Sequence, residues 1–230
     1  MKSGQQGKRT FLRCWTSFIL EKPRRRLISA NLTIHCPESS AFLFYPLLRR
    51  GYLVPASGDT SLKSLLMQEL ELSGEAGLDS IQTVLLDGAA VDDMGRAFPE
   101  DGSTVALSAA MPGLLGACLR RGGSLAAMRE GITYFEPSDP VQERGSIILR
   151  LKLYNLLLQQ WGLFLLVRGI LVEARDLREV MERFEQEWES SRLKASTDSE
   201  ELDFFSLRQW LGSFPARERI SFRLNTAESS

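Results

Sequence analysis

A chain of 230 residues with 43% hydrophobic and 25% charged residues can bury a core and has room for one large domain or two small ones. Its formal net charge of −1 hides an uneven distribution, because residues 1–26 carry eight Lys/Arg against one Glu while the remaining 20 basic and 28 acidic residues give −8. An acidic body argues against a dedicated nucleic-acid binder, whose basic residues belong on the folded face, and no run of about 18 or more apolar residues exists to span a bilayer.

Residues 1–26 show no clear period and read as a mobile basic head, in which Arg24-Arg25-Arg26 offers the one cluster for RNA or anionic lipid. Its apolar run from Phe11 to Leu20 is broken by Arg13 and lacks a small-residue cleavage site, so it does not read as a signal peptide. Cys14, Cys36 and Cys118 are odd in number and contain no C-x-x-C, which gives neither a disulfide framework nor a zinc site; a reducing cytoplasm is the expected location.

Order is expected from Leu27. Leu32, Ile34 and Cys36 alternate with Thr33 and His35, the pattern of a half-buried strand with the single histidine facing outward. In the apolar stretch from Ala41 to Ala56, Pro46 disfavours a regular helix, and Tyr52-Leu53-Val54 reads as a second strand. Leu62, Leu65, Leu66 and Leu70 recur at helical spacing, with Glu69 in the same stretch and Thr60 or Ser61 as the cap. Ile81 to Leu86 reads as a strand, Asp87-Gly88 as a tight turn, Ala89-Ala90-Val91 as extended chain, and Thr104 to Ser108 as a further strand. Ser124 to Glu130 suits a short helix and Ile132 to Phe135 a short strand. The linker is placed at 136–146, where Pro137 and Pro140 stand among polar residues.

Beyond it the order starts again, with a strand at Ile147 to Leu153, a strand at Ile170-Leu171-Val172 and a helix capped by Asp176. Residues 47–56 (LLRRGYLVPA) and 165–174 (LLVRGILVEA) agree at seven of ten positions, and Leu62, Leu65 and Leu66 fall on Leu177, Val180 and Met181. Leu62 to Val105 and Leu177 to Ile220 both span 43 positions. An internal duplication follows, in which Phe204 to Leu207 takes the third strand, Ile220 to Leu224 the last, and residues 190–201 form a polar surface insert. The expected fold class is α+β, with a first β-grasp (ubiquitin-like) module at 27–135 that includes a glycine-rich extension, and a second, degenerate module at 147–225.

The segments Ile148 to Leu157 and Leu86-Asp87-Gly88-Ala89-Ala90-Val91, with Glu100-Asp101-Gly102 before Thr104, resemble the ubiquitin-like sulfur carriers. That group includes the small subunit of molybdopterin synthase and the thiamine-biosynthesis sulfur carrier. The resemblance implies a β-grasp fold and a protein partner, and it places the family's chemistry on a terminal Gly-Gly whose carboxylate is adenylated and converted to a thiocarboxylate. Here Gly122-Gly123 follows the last strand of the first module but is internal, with 107 residues after it. Carrier chemistry would therefore require cleavage after Gly123.

The segment from Met111 to Gly123 also admits an anion- or nucleotide-binding reading. Small residues such as Pro112, Gly113, Gly122 and Gly123 let backbone N–H groups approach an anion, and Arg120 and Arg121 could clamp it. It lacks the P-loop and dinucleotide spacings. Met111, Pro112, Gly113, Arg120, Arg121, Gly122 and Gly123 are the candidate binding residues; no catalytic or metal-ligating set and no cofactor is expected. Cys118 reads as a buried thiol and Asp92-Asp93 as a solvated turn. The function expected is a non-catalytic cytoplasmic partner-binding or carrier-like protein, with a protein partner and a small-molecule ligand as the alternative.

Overall fold

The computed structural model describes residues 28–72, 75–109, 113–125, 128, 132–134, 145–191 and 193–227. Within them the strands are β1 (Ala30–Pro37), β2 (Tyr52–Ser57), β3 (Thr83–Leu86), β4 (Ala89–Ala90), β5 (Thr104–Ser108), β6 (Ser146–Tyr154), β7 (Ile170–Glu173), β8 (Lys194–Thr197), β9 (Glu201–Leu202) and β10 (Arg219–Ala227). The helices are α1 (Tyr45–Arg50), α2 (Leu62–Glu69), α3 (Gly113–Leu119), α4 (Leu156–Arg168), α5 (Ala174–Met181), α6 (Glu185–Ser190) and α7 (Phe204–Gly212), with 3-10 turns at Glu38–Phe44 and Glu75–Ser80. The chain is α+β, as its alternating patterns indicate.

All ten strands join in one mixed sheet in the order β4-β3-β5-β6-β2-β7-β10-β1-β8-β9. Its centre is the antiparallel contact of β2 with β7, where Leu53 stands opposite Leu171. These are equivalent positions of the repeated decapeptide, so the repeat meets itself about a local two-fold axis. From that seam the pairing signs run the same way in both directions: antiparallel (β2 with β6, β7 with β10), parallel (β6 with β5, β10 with β1), then antiparallel twice. The strands that fill the matching places do not match in chain order. The strand beside β2 is β6, from the later segment, and β1 lies between β10 and β8. The segments 27–135 and 147–225 are thus interleaved in one sheet.

Strand alternation decides which side carries the core. Leu32, Ile34 and Cys36 of β1, Val105 and Leu107 of β5, Leu149, Leu151 and Leu153 of β6, and Ile220, Phe222 and Leu224 of β10 are buried in one cluster. The same cluster takes Leu47 and Leu48 of α1, Leu62, Leu65 and Leu66 of α2, Trp161 and Leu165 of α4, Leu177 and Val180 of α5, Trp188 of α6, and Leu207 and Leu211 of α7. Six helices therefore pack on one face. The alternate residues, among them Thr33, His35, Lys152, Ser221, Arg223 and Asn225, face the other way and are half-buried or exposed. At the core's centre the Phe44 ring lies 5.4 Å from that of Phe222 and 5.5 Å, edge-on, from that of Phe184, the separations aromatic pairs favour.

Several expectations are corrected by local physics. Tyr45–Arg50 is helical despite Pro46, because Pro46 sits in the first turn, where a missing N–H breaks no intrahelical bond. Phe204 to Leu207 is the start of α7, capped by Asp203, which accepts the Ser206 N–H at 2.7 Å, and is not a strand. The strand role falls to β8 and β9, inside the stretch expected to be a polar insert. Their short alternation, with Ala195 and Leu202 buried, is masked by the charged turn between them. Asp176 does not cap its helix, since α5 begins two residues earlier and the carboxylate is turned into an ion pair. Ser61 does cap α2, accepting the Ser64 N–H. The basic head and residues 136–144 of the linker lie outside the described residues, and Ser146 already belongs to β6.

Candidate functional site

The glycine-rich segment follows β5. Met111 and Pro112 lie outside the described residues, and Gly113 opens α3 at φ +78°. Arg120 is exposed just beyond α3, whereas Arg121 turns inward. Its Nη1 donates to Met94 Sδ at 3.3 Å, its Nη2 to the Leu78 carbonyl at 3.4 Å, and its backbone N–H to the Gln82 carbonyl at 2.7 Å. Gly122 takes φ +62°, and Gly123 N–H returns to the Arg120 carbonyl at 3.1 Å. Arg120 to Gly123 thus form a tight turn just after α3, in which glycine supplies the left-handed backbone. The Gly122 N–H donates to Asp92 Oδ1 at 3.1 Å. The segment does receive an anion, and the anion is the chain's own carboxylate.

Other candidate groups are similarly committed. His35 faces away from the core as expected, with Nε2 2.9 Å from Ser196 Oγ and Nδ1 3.2 Å from Asn225 Nδ2. Asp93 closes its own turn on the Gly95 N–H at 2.8 Å. Cys118 is half-buried and Cys36 is buried. Burial pushes the Cys36 thiol up to about 11, away from any nucleophilic range at neutral pH. Because its folded value is raised from 9.0, the stability linked to this thiol is complete below that value and is lost as pH rises towards about 11. Urea unfolding of the wild type should show that alkaline decline, and Cys36→Ala should flatten it; parallel pH profiles would exclude the assignment. Among the described residues no group of three or more His, Cys, Asp or Glu could hold a metal ion.

Two charged groups inside the fold were not singled out as sites from the sequence. At the C-terminal end of α4, the Arg168 guanidinium pairs with the Glu69 carboxylate and also donates to the Glu69 carbonyl. The Tyr52 hydroxyl is buried beside them without a well-formed hydrogen bond. Burial raises Glu69 above the ordinary carboxylate range while Arg168 pulls it back, and burial followed by the Glu69 charge holds Tyr52 well above its usual value. Burial works against the charge on Arg168, but Glu69 outweighs it and the pKa lies above the ordinary value. The second group centres on Arg150, which reaches Glu173 at 2.9 Å, Asp176 at 3.0 Å and the Gly51 carbonyl at 2.9 Å. Arg175 also pairs with Glu173 at 2.6 Å. Both groups tie parts of the chain about a hundred residues apart in sequence to one another.

The described surface also carries exposed apolar side chains. On α4, Leu157, Trp161, Leu165 and Leu166 face the core with Leu163 packed half-buried against it, and the exposed side carries Leu156, Gln159, Gln160, Phe164 and Val167. Leu156 is 58% exposed and Val167 38%, with Phe42, on the 3-10 turn packed beside α4, 62% exposed. The Arg168 guanidinium lies 5.6 Å from the Phe164 ring centroid, so the stripe ends on a cation. The sequence does signal it: LLLQQWGLFLLVR is apolar nearly all the way round, more than one buried face requires.

Comparison of the chain with protein-family models, with curated proteins and with solved structures gave no match.

Proposed function

We propose that this chain is a non-catalytic, cytoplasmic partner-binding protein, carrier-like in build, on a scaffold of two interleaved β-grasp-like halves that arose by duplication. The two-fold relation of the decapeptides and the palindromic pairing signs support the duplication. The placing of β6 in the first half is the departure it must accommodate. The observation that carries the binding role is the exposed stripe of α4 with Phe42 at its side. Contiguous exposed apolar side chains on a soluble chain mark interaction surfaces. Strand addition is a weaker route, since the outermost strands β4 and β9 have two residues each and β4 is already bridged on its outer side by Thr133. Short edges of this kind resist further pairing.

The alternative, a small-molecule site in residues 111–123, loses support because the Arg121 guanidinium and the Gly122 N–H are engaged within the chain. The sulfur-carrier reading loses support because Gly122 and Gly123 are folded into a tight turn, with the Gly122 N–H held by Asp92. Affinity capture from native extract tests the proposal. A protein retained by the wild type and lost from Leu156→Ser/Phe164→Ser, while an Arg120→Ala/Arg121→Ala protein keeps it, is the expected result. Equal recovery by all three would remove α4 from the interface. Nucleotide or metabolite binding lost in the arginine variant would replace the proposal with the small-molecule reading.

A further inference from the structure

The sheet face opposite the helices carries a charge that the chain as a whole does not. Its strand positions include the cations Arg150, Lys152, Lys194, Arg219 and Arg223, against the acids Glu173 and, on the edge strand, Glu201. Glu173 is occupied by Arg150 and Arg175. Lys152 and Arg223 flank the two-fold seam from either side: a Cβ at Gly51 would lie 2.8 Å from Lys152 Cγ, and one at Gly169 would lie 3.8 Å from Arg223 Cβ. Lys194, Arg223 and Asn225 are exposed. Around them are hydrogen-bonding side chains, namely Thr33, His35, Ser196 and Ser221. Of the large apolar side chains on this face, Leu53 and Leu171 are buried at 8% and 0% exposure and Leu85, Ile148 and Tyr154 are half-buried, so none stands exposed as an anchor.

We infer that this face holds single-stranded nucleic acid by its phosphates. Protein interfaces concentrate energy in exposed apolar and aromatic anchors, which are missing here. Phosphate contacts, by contrast, are made by Lys, Arg, Ser, Thr and Asn side chains of the kind that line it. The sheet face offers strand side chains and no helix to enter a duplex groove, which makes a single strand laid across it the better fit. Arg24-Arg25-Arg26, four to six residues before Ala30 in sequence, form a separate basic cluster outside the described residues, and the test has to distinguish it from the sheet face. The acidic balance of the chain after residue 26 argued against nucleic acid only because it averages this face with a more acidic remainder. The surface is distinct from the α4 stripe and does not depend on it.

The test is fluorescence anisotropy of a labelled oligouridylate about 20 nucleotides long, long enough to exceed the site size of a single-strand-binding fold, titrated with the full chain across a salt series. Binding should weaken linearly in log–log form, and Lys152→Ala/Arg223→Ala should reduce the slope by about 1.4, roughly 0.7 for each phosphate no longer neutralised. Replacing Arg24, Arg25 and Arg26 by Ala should reduce the slope further without abolishing binding. No binding by the wild type at low salt, or an unchanged slope in the sheet variant with binding lost in the head variant, would overturn the inference. So would equal competition by polyglutamate of matched charge, which would mean that the face reads negative charge alone. Unchanged unfolding midpoints for the surface variants make a lost signal interpretable.

Discussion

Replacing Arg168 by Met should cost about 3–5 kcal/mol, because it leaves the Glu69 carboxylate buried without its counter-ion and beside the Tyr52 phenol. The side chains of Arg168 and Glu69 are 13% and 9% exposed, so water can do little to compensate. The same reasoning predicts that Glu69→Met/Arg168→Met regains most of the loss, since two apolar side chains of similar volume need no pairing. The Arg50–Glu179 pair sets the scale for contrast. Its side chains are 31% and 50% exposed, and Arg50→Met should cost less than about 1 kcal/mol. Urea unfolding with an unchanged m-value is the measurement. A single-variant loss no larger than that of Arg50→Met would mean that the buried pair does not hold α4 to α2.

Gly51→Ala is the second large effect. Gly51 and Gly169 occupy equivalent places in the repeat, and both adopt φ +103°, a conformation other residues reach only under strain of about 1–3 kcal/mol. They differ in their surroundings. A Cβ on Gly51 would lie 2.6 Å from Arg150 Cγ and 2.8 Å from Lys152 Cγ, whereas the nearest atom to one on Gly169 is 3.7 Å away. Gly169→Ala should therefore show the backbone strain alone. Gly51→Ala should add displacement of Arg150 from Glu173, Asp176 and the Gly51 carbonyl, for a total of about 3–5 kcal/mol. Equal melting temperatures for the two variants would show that Arg150 repacks freely.

These two sites also show what could be read from the sequence. The decapeptide repeat was visible as letters, and the structure adds that its two glycines share one backbone state. Strand alternation in β1, β6 and β10 was equally plain, because each strand has one wet and one dry side. The sheet order was not visible. Alternation says which face of a strand is buried but not which strand lies beside it, and parallel pairings join β5 to β6 and β1 to β10. The expected strand at Phe204 failed because aromatic residues favour strands only weakly, and Asp203 decides for the helix by capping it, with Leu207 and Leu211 on its buried side and Phe205 left exposed. Of the candidate binding residues, the sequence placed Arg121 and Gly122 beside a turn. It could not show that Asp92, thirty positions earlier, would fill that turn. Glu69 sat within an apolar helical pattern, which is the signal of a buried charge, but its partner Arg168 lies 99 residues away.

The insertion of β6 between β2 and β5 has a consequence for synthesis on the ribosome. Until residues 146–154 emerge, β2 and β5 have no neighbour at that gap, and their Tyr52, Val54, Val105 and Leu107 side chains lack the strand that completes their layer. The first described strand must wait longer still, for it is zipped along its whole length to the last. Nascent chains of this protein cannot fold from front to back. They must hold their early strands in reserve until the end has been made, which lengthens exposure to aggregation and places the demand for chaperones late in translation.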